Sequence, residues 1–201
     1  MRPVFLALTA AALAVGPAVA QQATNQPAGN FRLTDANGKP VQLSDFKGRT
    51  VVLEWNNPGC PYVQKHYESG NMQRAQAAAK RQGAVWLTIN SGAPGKQGHM
   101  TGPEARAFLA RAKAQPTAYL LDPEGRVGRG YAAKTTPHMY VIDGRGVLRY
   151  QGGIDDKPTA DQADVKGARN HVLAAISEMR AGKPVSVAET RPYGCSVKYA
   201  G

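Results

Sequence analysis

Residues 50–61, TVVLEWNNPGCP, are the stretch of sequence that decides the fold class of this chain. The β-branched and apolar run at 50–55 predicts a buried central strand. The following four residues, Asn56 to Gly59, form a dense cluster of turn residues. Pro61 is favoured at the first position of a helix, where its missing N–H is not needed. The stretch therefore predicts a strand, a turn and a helix, with Cys60 at the helix N-terminus.

Further strands and helices alternate on both sides of this unit. The first half is a β-hairpin across Asn37-Gly38, the strand at 50–55, a helix from Pro61 toward Lys80 that kinks or restarts at 69–71, and a strand at 84–89. The second half begins with a helix after the capping box of Thr101 and Glu104, followed by a strand at 118–121 and a second hairpin across 143–146. The last helix is capped by Thr159 and ended by Gly182. Strands that alternate with helices and end in an antiparallel hairpin predict an α/β fold with a central mixed sheet flanked by helices.

The N-terminus has the three parts of a secretory signal peptide. Arg2 supplies the positive start, an apolar run of about a dozen residues follows, and residues 18–20 (AVA) form a small-residue cleavage site. The apolar run is shorter than the roughly 20 residues that a membrane-spanning helix needs. We therefore predict a signal peptide at 1–20, export to the periplasm or the medium, and no stable membrane insertion after cleavage.

The remaining sequence is long enough for one domain with a sizeable core. We predict a flexible lead-in at 21–30, a folded α/β domain at 31–184 and a C-terminal tail at 185–201. The net charge is +11, but the basic residues are scattered, which indicates a solvated surface rather than a nucleic-acid partner. No clustered Cys/His spacing indicates a metal site, and no motif indicates a cofactor.

Two cysteines, Cys60 and Cys195, are present in the whole chain. Two are too few for a disulfide scaffold, so they are either one structural staple or a redox couple. The N–H groups and dipole at a helix N-terminus favour a thiolate and lower a cysteine pKa to roughly 3.5–7.5. We predict that Cys60 is a reactive thiol in a surface loop. We also predict that Lys65 and His66 lie on a solvated helix face, and that His99 and His171 are surface residues.

Several tracts resemble the thioredoxin-like and alkyl hydroperoxide reductase–thiol specific antioxidant superfamily, in its peroxiredoxin-like redoxin subgroup. They are the opening at 31–48, the strand into Cys60, the tract at 59–63, the tract at 70–73, the tract at 119–123, the tract at 136–143 and the tract at 153–156. The resemblance implies a thioredoxin-like fold. It also implies that Pro137 is preceded by a cis peptide bond beside Cys60, and that the backbone of Thr136 pairs with an extended substrate. His138 follows this pair, and we interpret it as an ordinary strand residue.

Two departures from the family patterns limit what the resemblance implies. Thioredoxins that exchange disulfides carry Cys-x-x-Cys, but the second position here is Val63. Peroxiredoxins carry a proline and a threonine before the peroxidatic cysteine. If Cys60 is that cysteine, Leu53 and Asn57 stand in those positions, and if Cys60 stands in the threonine position, Val63 replaces the cysteine. The peroxiredoxin site is therefore incomplete in this chain.

Three hypotheses remain open from the sequence. The first is a thiol–disulfide oxidoreductase in which Cys60 attacks and Cys195, in a tail folded back over the site, resolves the mixed disulfide. The second is an antioxidant thiol peroxidase in which Cys60 is oxidised to a sulfenic acid. The third is a non-catalytic binding protein with a structural disulfide. The first two require a disulfide- or peroxide-bearing substrate and a thiol reductant.

Overall fold

A seven-stranded mixed sheet organises residues 22–201, which are the residues that the computed structural model describes. The predicted signal peptide at 1–20 lies outside the described residues. The strands are β1 (Arg32–Asp35), β2 (Pro40–Gln42), β3 (Val51–Trp55), β4 (Val85–Asn90), β5 (Ala118–Leu121), β6 (Thr135–Thr136), β7 (His138–Ile142), β8 (Leu148–Gly152) and β9 (Cys195–Ser196). The helices are α1 (Pro61–Glu68), α2 (Asn71–Arg81), α3 (Gly102–Ala112), α4 (Arg126–Gly130) and α5 (His171–Arg180), with 3-10 turns at Leu43–Phe46 and Gln162–Val165.

The strand order is β2-β1-β5-β4-β3-β7-β8, and β6 and β9 form a separate two-stranded ladder. β4 pairs in parallel with both β3 and β5, whereas β7 and β8 are antiparallel. Because β3, β4 and β5 follow one another across the sheet and such crossovers are right-handed, the helices between them lie on one face. α1, α2, α3 and α5 contribute to the core on that face, and α4 packs on the other. The predicted sheet flanked by helices is confirmed.

The break in the helix after Cys60 occurs where the sequence places it. Gly70 has a φ of 71°, in the left-handed region, and forms the N-cap of α2. Glycine adopts this conformation without the steric cost that a side chain would add. The segment after Pro61 is therefore two helices, α1 and α2, that meet at Gly70.

One boundary prediction is wrong, and one short helix is absent from the predictions. Thr159 does not cap the last helix, because Gln162–Val165 is a 3-10 turn with its own cap and Gly167 then turns the chain at a φ of 80°. α5 instead begins after Asn170, whose side chain accepts the Leu173 N–H. The short helix α4 was not predicted.

The predicted lead-in is not a free segment over its described part. The Asn25 N–H donates to the Leu148 carbonyl at 2.7 Å, and the Ala28 N–H donates to the Gly146 carbonyl at 2.8 Å. These backbone bonds attach residues 22–30 to the turn between β7 and β8. The segment is therefore part of the folded unit.

The C-terminal tail crosses the structure close to the end of β3. The Thr190 N–H donates to the Gln151 carbonyl, and the Ala93 N–H donates to the Lys198 carbonyl, so the tail is attached on both sides of Cys195. Between these points β9 pairs with β6. Among residues 22–201, no helix has the length and apolar character needed to cross a membrane.

Candidate active site

Cys60 is the N-cap residue of α1, at the end of the central strand, as the sequence predicts. Its carbonyl accepts the N–H groups of Val63 and Gln64, both at 2.9 Å. Asn57 shapes the preceding turn, because its side-chain oxygen accepts the Gly59 N–H at 2.9 Å. The predicted surface position is wrong: Cys60 is 0% exposed. The C-terminal tail covers Cys60, and a contact between segments so distant in sequence leaves no signal in the residues around Cys60.

The Cys60 sulfur lies against two segments that are remote in sequence. It is 2.7 Å from the Cys195 sulfur and 3.1 Å from the Thr136 carbonyl oxygen, to which a thiol hydrogen can be donated. The Cys195 N–H points at the Cys60 sulfur at 3.4 Å. Both cysteines are free thiols in this structure, and 2.7 Å is longer than the roughly 2.05 Å of a disulfide bond.

The two thiols differ in acidity. Burial raises the pKa of Cys60, but hydrogen bonds from the Cys195 thiol and N–H, the Val63 N–H and Thr136 outweigh it, so the net pKa is lowered. The pKa of Cys195 is raised to about 11, by burial first and then by its hydrogen bond to Cys60 and the charge there. Deprotonation of the pair therefore places the negative charge on Cys60 and the proton on Cys195.

Thr136 and Pro137 lie beside the thiols. The peptide bond between them is cis. Thr136 is paired with Cys195 and Thr135 with Ser196 in the β6–β9 ladder. Gly194 sits so close to the Thr136 carbonyl that a Cβ atom could not be placed there. The structure thus brings together all four predicted site residues, and the tail occupies the backbone edge that the family resemblance assigns to a substrate.

A buried polar cluster next to the thiols was missed by the sequence analysis. Lys65 and His66, predicted to be solvated, are 1% and 0% exposed. The Lys65 Nζ donates to the Lys157 carbonyl at 2.7 Å, and His66 hydrogen-bonds to the Tyr193 hydroxyl at 3.1 Å. The loop after β8 and the tail cover this helix face, which reads as exposed when α1 is considered alone.

Burial also controls the ionisation of His66. Burial lowers its pKa to about 4, with the Asp155 carboxylate acting in the opposite direction and the Lys65 ammonium in the same direction. His66 is therefore neutral at pH 7. His99 and His171 make other contacts: His99 hydrogen-bonds to the Gly92 carbonyl, and the His171 ring stacks on Tyr150.

His138 is a buried strand residue on the other face of the sheet. Its ring contacts the Tyr140 hydroxyl at 3.1 Å, and Tyr140 belongs to the core opposite to that of Cys60. Burial, followed by the charge of Lys134, lowers the pKa of His138 to about 3. Its side chain therefore stabilises that core as a neutral ring.

Glu54 is fully buried below the site, on the same face of the sheet as α1. Four side chains donate hydrogen bonds to its carboxylate, namely Tyr67, Asn56, Trp86 and Thr88, at 2.7 to 3.1 Å. Burial raises its pKa, although these four bonds act in the opposite direction. Nothing in the apolar pattern of β3 distinguishes this residue from an exposed one. Within residues 22–201 no three His, Cys, Asp or Glu side chains are grouped as ligands for a metal ion.

Comparisons with known proteins agree with this fold. The chain is 27% identical over 121 residues to the thiol-disulfide oxidoreductase ResA of Bacillus subtilis, an alignment that covers 55% of this chain and 68% of ResA. The fold is similar to that of a hypothetical protein, SMc02350, from Sinorhizobium meliloti, with a TM-score of 0.75, 23% identity and coverage of 90% of this chain and 97% of the other. It is also similar to peroxidoxin BcpB from Mycobacterium tuberculosis, with a TM-score of 0.57, 18% identity and coverage of 78% and 97%.

A family model gives the assignment. The model described as the AhpC/TSA family matches residues 24–151, which include β1 to β7 and Cys60. The match extends over more than half of the chain and confirms the resemblance noted in the sequence. With its thioredoxin-like sheet and the cysteine at the start of α1, this chain belongs to the AhpC/TSA family.

Proposed function

We propose that this protein is an exported thiol–disulfide oxidoreductase in which Cys60 is the attacking thiol and Cys195 is the resolving thiol. The observation that carries the proposal is the pairing of the two sulfurs at 2.7 Å with opposite changes in acidity. The thiolate is the nucleophile in disulfide exchange, so the thiol with the lowered pKa is the one that attacks. Cys195 takes the place of the second cysteine of Cys-x-x-Cys, which Val63 replaces here.

The reaction proceeds in two exchanges and transfers two electrons. The Cys60 thiolate attacks a substrate disulfide, forms a mixed disulfide and releases one substrate thiolate, which takes up a proton. Cys195 then loses its proton, attacks the Cys60 sulfur and releases the second substrate thiol. The substrate is reduced and the Cys60–Cys195 pair is oxidised to a disulfide. An external dithiol returns the pair to the reduced state and is itself oxidised.

Access to Cys60 requires movement of the tail. Cys60 is 0% exposed, and the segment that covers it pairs with β6 through only two residues on each side. So short a ladder adds little stability by itself. When the tail moves away, the backbone of Thr136 becomes free to pair with an extended substrate, and Pro137 lies beside it. The same edge then serves the tail and the substrate in turn.

Export is the second part of the proposal. Its support is the basic start, short apolar run and small-residue cleavage site at residues 1–20. Disulfides form and persist in oxidising compartments, which suits a protein whose site depends on two thiols. Mass spectrometry of the protein from an expressing bacterial cell is expected to find it outside the cytoplasm with Gln21 as its first residue.

The model disulfide 5,5′-dithiobis(2-nitrobenzoate) tests the assigned roles. Reduced mature protein is expected to release two coloured thiolates per molecule and to end with a Cys60–Cys195 disulfide and no adduct. Cys195→Ser is expected to release one thiolate and to keep a stable adduct on Cys60. Cys60→Ser is expected to react more slowly, because burial, the largest cause of the raised pKa of Cys195, persists in the variant. A Cys60→Ser variant as fast as the wild type would refute the assignment.

Two further measurements separate this proposal from its alternatives. Oxidation of Cys60 by hydrogen peroxide that is faster than its reaction with the model disulfide would favour a peroxidase. A Cys60–Cys195 disulfide with a reduction potential below about −300 mV would indicate a structural staple. A potential well above that value, with slow peroxide oxidation, is the result we expect.

A further inference from the structure

We propose that the buried cluster of Lys65, His66, Asp155 and Tyr193, here called the tail latch, positions Cys195 for its attack on Cys60. The inference rests on the proposed function, because it concerns the resolving step of that reaction. Tyr193 belongs to the tail and precedes Cys195 by two residues, whereas the other three residues belong to α1 and to the loop after β8. The latch therefore joins the resolving cysteine to the helix that carries the attacking one.

The hydrogen bonds of the latch run in one direction. The Asn71 side-chain amide donates to Nδ1 of His66 at 2.8 Å, so the proton of the neutral ring lies on Nε2. Nε2 then donates to the Tyr193 hydroxyl at 3.1 Å, and that hydroxyl donates to Oδ1 of Asp155 at 2.5 Å. Tyr193 is the only one of these residues that moves with the tail, so every opening of the tail breaks both of its hydrogen bonds.

The charged groups around Tyr193 make the loss of its hydroxyl costly in free energy. Asp155 is 4% exposed. Within residues 22–201 its second oxygen Oδ2 has no hydrogen-bond partner, and Oδ1 receives only the Tyr193 hydroxyl and the Lys157 N–H. Removal of the Tyr193 hydroxyl leaves a buried carboxylate with a single donor. The Lys65 ammonium lies 5.8 Å from the centre of the Tyr193 ring, close enough for a cation–π attraction.

The tail offers a matched control in a second tyrosine. Tyr199 follows Cys195 by four residues, and its hydroxyl donates to the Ala133 carbonyl at 2.8 Å. It also anchors the tail, but its hydroxyl has no contact with the latch. Tyr193→Phe and Tyr199→Phe each remove one hydroxyl from one end of the same segment, and only the first of them disrupts the latch.

The test measures the effective concentration of Cys195 at Cys60. Reduced mature protein is equilibrated with glutathione, so that protein dithiol and oxidised glutathione give protein disulfide and two molecules of reduced glutathione. We expect Tyr193→Phe to lower this equilibrium constant about tenfold or more, since it removes hydrogen bonds to two buried partners, one of them charged. We expect Tyr199→Phe to change the equilibrium constant by less than about threefold, because it removes one neutral hydrogen bond at a partly exposed site.

A second readout separates positioning from general loss of structure. In a Cys195→Ser background, Tyr193→Phe is expected to leave the attack of Cys60 on 5,5′-dithiobis(2-nitrobenzoate) as fast as before or faster, because a looser tail uncovers the thiol. If Tyr193→Phe does not fold, Asp155→Asn and Asp155→Ala are compared instead. Asparagine keeps an acceptor for the tyrosine and is expected to preserve the equilibrium constant, whereas alanine lowers it.

The outcomes distinguish the latch from the proposed function. If the wild type forms no Cys60–Cys195 disulfide with oxidised glutathione, the proposed function fails. If the wild type forms it and Tyr193→Phe has the same equilibrium constant, or if Tyr199→Phe lowers the constant as much, the latch is refuted while the proposed function stands.

Discussion

Replacement of His66 with glutamine is expected to remove one part of the sensitivity of the fold to acid, the part that comes from this buried ring. In the folded protein the ring is enclosed between α1 and the tail, and burial lowers its pKa from 6.5 to about 4. The nearby Asp155 carboxylate raises this pKa and the Lys65 ammonium lowers it, but burial has the larger effect. The variant keeps a polar side chain of helix-forming type at the same position.

The direction in which the free energy of unfolding changes with pH follows from proton binding in the folded and unfolded states. Below pH 6.5 the unfolded chain binds a proton at His66, while the folded protein does so only near pH 4. Because the unfolded state binds more protons between these values, the free energy of unfolding falls as the pH falls. At about 1.4 kcal/mol per pKa unit, the full loss is about 3.5 kcal/mol, of which about 2.5 kcal/mol has occurred by pH 4.5.

Urea unfolding at pH 7.5 and pH 4.5, with a phosphine reductant to keep both thiols reduced, measures this loss. The wild type is expected to lose about 2.5 kcal/mol more than His66→Gln between the two pH values. Contributions from His138 and Glu54 are present in both proteins and cancel in the comparison. His99→Gln, which replaces a partly exposed histidine in the loop after β4, is the control for a histidine-to-glutamine change as such. Equal losses in the wild type and in His66→Gln would refute the buried position of His66.

Two further predictions concern the tail and the buried carboxylate. Gly194 has a φ of 128° and leaves no room for a Cβ beside the Thr136 carbonyl, so Gly194→Ala is expected to loosen the tail. Iodoacetamide should then label Cys60 about tenfold faster in a Cys195→Ser background. Gly130→Ala, at an open position with an ordinary φ, should leave the rate unchanged, and an unchanged rate in Gly194→Ala would contradict the prediction. Glu54→Ala removes the acceptor of four buried donors and should lower the free energy of unfolding by about 3–5 kcal/mol in urea, with a smaller loss for Glu54→Gln. A loss below about 1 kcal/mol in Glu54→Ala would show that these donors find other partners.

The candidate site was predictable in part. The position of Cys60 at a strand–helix junction follows from local sequence, because a β-branched run, a turn cluster and a proline at the first helical position are local signals. The family resemblance supplied Thr136 and Pro137. The proximity of Cys195 was left open, since the two cysteines are separated by 135 residues and no pattern in the tail indicates where it packs.

The errors have a common physical cause. The pattern of α1 taken alone predicts His66 and Lys65 on a solvated face, and the turn residues around Cys60 predict a surface position for that thiol. Both predictions leave out the segments that pack over them. Thr159 was chosen as a cap because it is a favourable residue type, whereas the chain there forms a 3-10 turn and reaches α5 only at His171. In each case a segment distant in sequence, or a competing local turn, decided the outcome.

The sequence by itself therefore determined the order of the main strands and helices, the family and the cysteine at the start of α1, because hydrophobic period, turn residues and helix caps act over a few residues. Only the tertiary structure decided how Cys60 is covered, what lies beside it and which thiol carries the charge. Burial, and the hydrogen bonds that the tail makes to α1 and β6, are properties of packed segments. They arise only when residues 59 to 135 positions apart meet near the end of β3.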